Sequence, residues 1–356
     1  MALVQIQPTD ALARLAAFDT LIDARSESEF AEDHLPGAVN WPSLNDAQRR
    51  LVGTEYKQVS PFAAKKRGAA MAARNIAGHV EQYVLDKPKH WQPLVYCWRG
   101  GKRSGALALV LDQIGFQVHL LAGGYREYRR ALLAALAEQP QRLNLRVVCG
   151  TTGSGKSRLL HALAELGAQV LDLEALANHR GSVLGLMPGE RQPGQKRFES
   201  LLWDALRRFD AARPVWVESE SKKIGDLQVP PALIAHMRAS ACLTLELALD
   251  ARVALLLDEY RHFVHDAPAF CARLDALRVL CGHARVDAWQ AGVHAGAVSP
   301  VVRALLLEHY DPIYLRSMQR NFAGFTAPLS RVGWDGSDAS LRAAASALAA
   351  SVAVAP

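Results

Sequence analysis

The stretch that most limits the fold is GTTGSGKS, Gly150 to Ser157, set between the apolar run NLRVVC and the amphipathic run SRLLHALAEL. It fits the pattern G-x-x-x-x-G-K-[ST] in full, with a strand ahead and a helix behind. The glycines let backbone N–H groups turn inward around phosphate oxygens, and the following helix adds the positive end of its dipole. Gly150, Thr151, Thr152, Gly153, Ser154 and Gly155 form the cradle, Lys156 supplies a point charge, and Ser157 is a candidate Mg²⁺ ligand. This part of the chain is therefore an α/β unit built to hold a diphosphate.

Hydrolysis of a nucleotide does not follow from the loop alone. An NTPase usually places an aspartate at the end of a later apolar strand to hold Mg²⁺. The strand PVWVESESKKIG offers Glu218 and Glu220 instead, trailed by Ser221, Lys222 and Lys223. Charge runs are usually solvated surface, yet two acids and two lysines beside a phosphate loop suit a charged ligand. Further strands are expected at AQVLDL and CLTLELAL, a helix in RVALLLDEYRHFV, and a fraying helix in the alanine-rich tail.

Ahead of this unit the chain alternates short β-rich runs with helical ones, as a parallel α/β sheet requires. Strands are expected at FDTLIDAR, AVNWPS, LVYC and VHLLAGGY. A long basic segment, residues 44–90, separates the second from the third; it reads as polar at its start, helical at its end and exposed to a partner. The run AEQPQRL reads as an interdomain linker. Two domains are thus expected, 1–135 and 140–356, and 356 residues suffice for both.

The second chemical signal is VYCWRGGKRSGA. Cys97 and Arg103 stand in the spacing C-x5-R, with Trp98, Arg99, Gly100, Gly101 and Lys102 between them. Backbone N–H groups circling a thiolate, with a terminal arginine, would stabilise its charge and accept an oxyanion. Cysteine phosphatases and sulfur carriers share this spacing, and a buried strand-end thiol is the plain alternative. The other four cysteines, Cys149, Cys242, Cys271 and Cys281, read as buried thiols. The odd total shows neither zinc spacing nor a disulfide framework, so a reducing cytoplasm is expected.

Upstream, LIDARSESEFAEDHLPGAVNWP resembles the rhodanese signature D-x-R-x-x-x-E-F…H-x-x-G-A-x-N-x-P. The resemblance implies a rhodanese-like parallel sheet over the first ~130 residues, braced by Asp23, Arg25 and the loop His34 to Asn40, with Cys97 as chalcogen carrier. The ordered set YCWRGGKRSG, GTTGSGKS, LEALANHRGSVLG, RQPGQKRFES and VESESKKIG, with the basic insertion, is similar to the tRNA 2-selenouridine synthase family along nearly the whole chain. GSVLG departs from that pattern, where a further small or aromatic residue is expected.

That second resemblance implies exchange of sulfur for selenium on wobble 2-thiouridine of tRNA through an S-geranyl intermediate. The implied substrates are geranyl diphosphate and selenophosphate, with a selenophosphate supplier as a further partner, no tightly bound cofactor and Mg²⁺ as an optional ion. It makes Cys97, Arg103 and Lys156 the catalytic candidates, with His179, Arg180, Glu218, Glu220 and Lys222 around the phosphate site. Lys65, Lys66, Arg67, Arg74 and Lys223 are candidates for tRNA contact, in keeping with 41 basic against 35 acidic residues and a net charge of +6. An ATP-dependent tRNA sulfurtransferase with a persulfide carrier is the alternative. No apolar run is long enough to span a bilayer, and the N-terminus lacks the pattern of a signal peptide.

Overall fold

The computed structural model describes residues 3–180, 191–261 and 265–353, and the chain forms two compact units. The first holds a five-stranded sheet of β1 (Val4–Ile6), β2 (Thr20–Asp23), β3 (Ala38–Asn40), β4 (Pro93–Tyr96) and β5 (His119–Leu121). Its order is β1-β5-β4-β2-β3, and every neighbouring pair is parallel. All four residues of β4 are buried, as a central strand covered on both faces demands. The four expected strands are β2 to β5; the three-residue edge strand β1 gave no periodic signal.

The basic insertion differs from its expectation. Its polar start is a full helix, Asp46–Gln58, followed by a second, Pro61–Tyr83. Asn45 and Gln48 exchange backbone and side-chain bonds at the first N-terminus, and Ser60 with Pro61 opens the second. The helices cross closely: a Cβ on Gly68 would lie 3.3 Å from Val52 Cγ1. The far half of the second helix enters the core, where Ile76 and Val84 pack with Trp41, Trp91, Val95 and Cys97. Only one side of the insertion is therefore free.

The second unit carries β6 (Asn144–Cys149), β7 (Gln169–Leu171), β8 (Pro214–Glu218), a ribbon of β9 (Lys223–Ile224) with β10 (Leu227–Gln228), β11 (Ala241–Leu247) and β12 (Ser330–Trp334). The parallel sheet runs β12-β11-β6-β8-β7, so the phosphate-loop strand is central. The tail forms a helix, Asp338–Ala353, whose Leu341, Ala345 and Leu348 pack with Leu159, Leu160 and Leu163 behind the loop. Burying each such leucine stabilises the unit by about 1.5–3 kcal/mol. The expected linker is ordered: a 3-10 turn, Gln139–Arg142, buries Pro140, and His236 Nε2 lies 2.8 Å from the Leu143 carbonyl.

The uninterrupted division expected from sequence is also modified, because Gly194–Asp204 belongs to the first unit. The helix Gln195–Leu206 buries Phe198 and Leu202, and Ser200 Oγ accepts from Tyr128 (2.9 Å) and donates to Asp33 (3.0 Å). Asp33 also accepts from the Tyr125 hydroxyl at 2.8 Å. Ser200→Ala removes two buried bonds, at an expected cost of about 1–3 kcal/mol. Amide hydrogen exchange should then quicken across Gln195–Asp204 while the β6–β8 core keeps its protection.

Two anion-cradling loops as the candidate active site

In the first unit, β4 delivers Cys97, only 3% exposed, to the mouth of the helix Lys102–Ile114. Ser104, in that helix's first turn, donates from Oγ to Cys97 Sγ at 3.1 Å. The sulfur therefore sits at the positive end of the helix, where negative charge is favoured. The loop is closed from behind by Tyr125 N to Cys97 O (2.8 Å) and Arg126 N to Trp98 O (3.1 Å). Gly124, at φ +61°, permits this approach, since a Cβ there would lie 2.2 Å from Cys97 O.

The basic residues of this loop divide. Arg99 and Lys102 are exposed, and Trp98 stacks on Tyr125 at 5.4 Å. Arg103 turns instead to Glu29, with bonds of 2.6 and 3.3 Å. Burial alone would raise the Glu29 pKa; Arg103 outweighs it and holds that carboxyl below its ordinary value. The guanidinium thus fastens the loop's helix to the Glu27–Glu32 helix rather than turning into the loop. Arg25 meets Asp23 at 2.6 Å, and Asn40 Nδ2 donates to the carbonyls of Asp23 and Arg25. His34 Nδ1 lies 2.8 Å from Phe30 O.

In the second unit, residues Gly150 to Ser157 wrap the N-terminus of the helix Lys156–Glu165. Gly153 and Gly155 take φ of +76° and +89°; a Cβ on Gly155 would lie 2.4 Å from Trp334. Trp334 Nε1 donates to Ser154 O at 2.8 Å, and Arg252 clamps Thr152 O at 2.7 Å while pairing with Asp311 at 2.6 Å. Gly150 N donates to Tyr314 Oη (2.7 Å), which also meets Ser219 Oγ (2.9 Å). Lys156 Nζ is folded back onto Gly150 O at 2.7 Å.

Carboxylates crowd this lysine. Ser157 Oγ donates to Glu174 at 3.0 Å, and Glu218 Oε1 accepts from the amides of Leu173 and Glu174 at 2.8 and 3.0 Å. Glu218 Oε2 is buried and has no partner among the described residues. Burial lowers the Lys156 pKa against the pull of Glu174, Glu220, Cys149 and Glu218. Burial likewise raises Glu174 and Glu218, and raises Glu220, helped by Glu174, to about 7. The carboxyls are thereby shifted toward neutrality, which softens their repulsion of an anion in the loop.

Other candidates lie further out. Among the described residues the buried His179 Nδ1 has no hydrogen-bond partner, and burial lowers its pKa. Arg180 pairs with Glu259 at 3.7 Å and lies over the Tyr260 ring. Residues 181–185, the GSVLG stretch, lie outside the described residues. Lys222 is exposed beside the β9–β10 ribbon and Lys223 exposed within it; Gln192 Nε2 donates to Ala177 O and to Ile224 O of the ribbon. Lys65, Lys66, Arg67 and Arg74 are exposed on the insertion, with Arg67 paired to Glu55 at 3.0 Å. Glu174, Arg252, Asp311, Tyr314 and Trp334 were not singled out from sequence. Of these, Glu174 alone had a local signal, as the acid opening the helix after β7. Among the described residues no helix is long and apolar enough to cross a membrane, and no three His, Cys, Asp or Glu side chains are grouped to hold a metal.

A carboxyl with a raised folded-state pKa binds more protons folded than unfolded, so stability falls as pH climbs through that interval. For Glu220 the interval runs from an ordinary ~4.3 to about 7. Glu220→Gln should therefore gain thermal stability over the parent chain as pH rises from about 5 to about 8. Paired melting curves across that range check it; a constant difference contradicts it.

Residues 7–131 match the family model of the rhodanese-like domain, and residues 143–278 match the tRNA 2-selenouridine synthase AAA domain. The tRNA 2-selenouridine synthase of Nitrosomonas europaea is 39% identical over 256 residues, covering 70% of this chain and 66% of the relative, just under two thirds of its length. That of Shewanella halifaxensis is 32% identical over 327 residues, covering 83% of this chain and 87% of the relative. With a rhodanese-like sheet, a phosphate-loop unit and this similarity across both, the chain belongs to the tRNA 2-selenouridine synthase family.

Proposed function

We propose that this enzyme converts wobble 2-thiouridine of tRNA to 2-selenouridine in two stages, alkylation by geranyl diphosphate and then displacement by selenium from selenophosphate. The supporting observation is that Cys97 and Lys156 each sit where the chain passes from the central strand of a parallel sheet into the next helix, in a chain of this family. In the first stage the thiocarbonyl sulfur attacks the allylic carbon of geranyl diphosphate, and the C–O bond electrons leave with the diphosphate. The residues must then stabilise the departing charge, which Lys156 and the amides of Gly150 to Ser157 can do without hydrolysing a nucleotide.

Sulfide on a pyrimidine carbon is a poor leaving group; alkylation lets it leave as a thiol. In the second stage a selenium nucleophile adds to that carbon and geranyl thiol departs. Cys97 positions selenophosphate at its helix mouth, with Arg99 and Lys102, exposed and close in sequence, to meet the phosphate oxygens. Ser157 and Glu174, 3.0 Å apart, offer two oxygen donors, the small protein share that Mg²⁺ takes beside phosphate oxygens; bound there, the ion would add positive charge near the leaving diphosphate. Cytoplasmic residence fits the tRNA substrate and the five unpaired cysteines.

The two sites separate in their variants. Lys156→Ala should abolish geranylation of tRNA, whereas Cys97→Ala should retain geranylation and lose selenium incorporation. Nucleoside mass spectrometry after incubation with tRNA, geranyl diphosphate and selenophosphate reads both. Normal selenouridine formation by Cys97→Ala would overturn this role of Cys97. ATP-dependent sulfur transfer from thiosulfate would favour the sulfurtransferase reading instead.

A further inference from the structure

The turn joining the two insertion helices, with the helix ends beside it, exposes ring and branched surface. Phe62 is 69% exposed, Val59 76% and Tyr56 50%. On the helix Pro61–Tyr83 the inward face is marked by buried Ala64 and by Gly68 against Val52. At about 100° per residue, Phe62 and Lys66 lie about 200–240° from those positions and so point outward. Lys66 Nζ sits 5.0 Å from the centre of the Phe62 ring. Exposed apolar surface concentrated at one point marks a contact site rather than a packing need.

The charge around it selects the partner. Residues 46–83 hold seven Lys and Arg against three Asp and Glu. Two of those three acids are engaged, Asp46 with Ser28 and Glu55 with Arg67. A duplex would use the cations and leave the rings idle, while a purely apolar partner would leave the cations idle. Flat rings interleaved with lysines suit unpaired bases on a phosphate backbone. We propose that this hairpin tip binds unpaired RNA, with Phe62 and Tyr56 stacking on bases and Lys57, Lys65 and Lys66 holding phosphates. The proposal rests on the tRNA reading above and gives it a docking surface.

Fluorescence anisotropy with a labelled oligouridylate and a labelled tRNA transcript, over a salt series, tests it on the full chain. Phe62→Ala should weaken both by about 5- to 100-fold with the salt slope unchanged, and Phe62→Tyr should restore binding. Lys65→Ala with Lys66→Ala should lower the log–log salt slope by about 1.4, at about 0.7 for each single-strand phosphate contact. Phe62 is mostly exposed, so melting temperatures should hold. If the parent binds both RNAs and Phe62→Ala binds equally well, this surface is overturned and the tRNA reading stands. If the parent binds neither, the tRNA reading falls with it. If sedimentation shows a parent dimer that Phe62→Ala dissolves, the tip serves a second copy and the RNA proposal fails.

Discussion

Both loops depend on one constraint, a neighbouring element so close to the turn after a central parallel strand that only a glycine fits at the contact. Gly124 lies against the Cys97 carbonyl, and Gly155 against the indole of Trp334. Where strands run parallel, their C-terminal ends open onto the N-termini of the helices that follow, and the amides there are unpaired. The sulfur of Cys97 and the amine of Lys156 are positioned by that arrangement more than by their own neighbours in sequence. The helix dipole and the converging N–H groups come with the geometry.

The surroundings of the phosphate loop show how opposite charges share a small volume. A lysine among three glutamates could neutralise itself and leave nothing for a ligand. Burial prevents this by raising the carboxyl pKa values, with Glu218 further occupied by two amides at the start of the Leu173–Ala177 helix. Lys156 meanwhile rests on a carbonyl of its own loop. The proposed diphosphate would exchange that contact for a stronger one, since the carbonyl carries only a partial charge.

What could be read from the sequence follows the range of the interactions. Strands β2 to β5, β6 to β8 and β11 are apolar runs bounded by turn residues, and both loops carry their glycines at fixed offsets. The edge strands β1 and β12 are short and half-exposed, so their patterns are faint. Arg103 looked like part of an anion site because its distance from Cys97 is right; its partner, Glu29, lies 74 positions away and no local pattern reveals it. The same holds for Arg252 with Asp311 and for Tyr314 on Gly150. The helical hairpin was half legible, because its core contacts through Ile76 and Val84 fix what composition alone showed as a basic run.

The return of Gly194–Asp204 to the first unit bears on how the polypeptide matures as it leaves the ribosome. The sheet β1 to β5 is fully synthesised by Leu121, and its last helix by Glu138. Yet Asp33 and Tyr128 await Ser200, which emerges only after the whole phosphate loop. The amino-terminal unit therefore cannot reach its final hydrogen-bonded state first and alone. A fragment ending at residue 135 would leave Asp33 and Tyr128 without their Ser200 bonds, in the segments that follow β2 and β5, the two strands flanking the one that carries Cys97. Sequential domain-by-domain maturation is replaced by an interleaved order in which the phosphate-binding half must begin before the sulfur half can end.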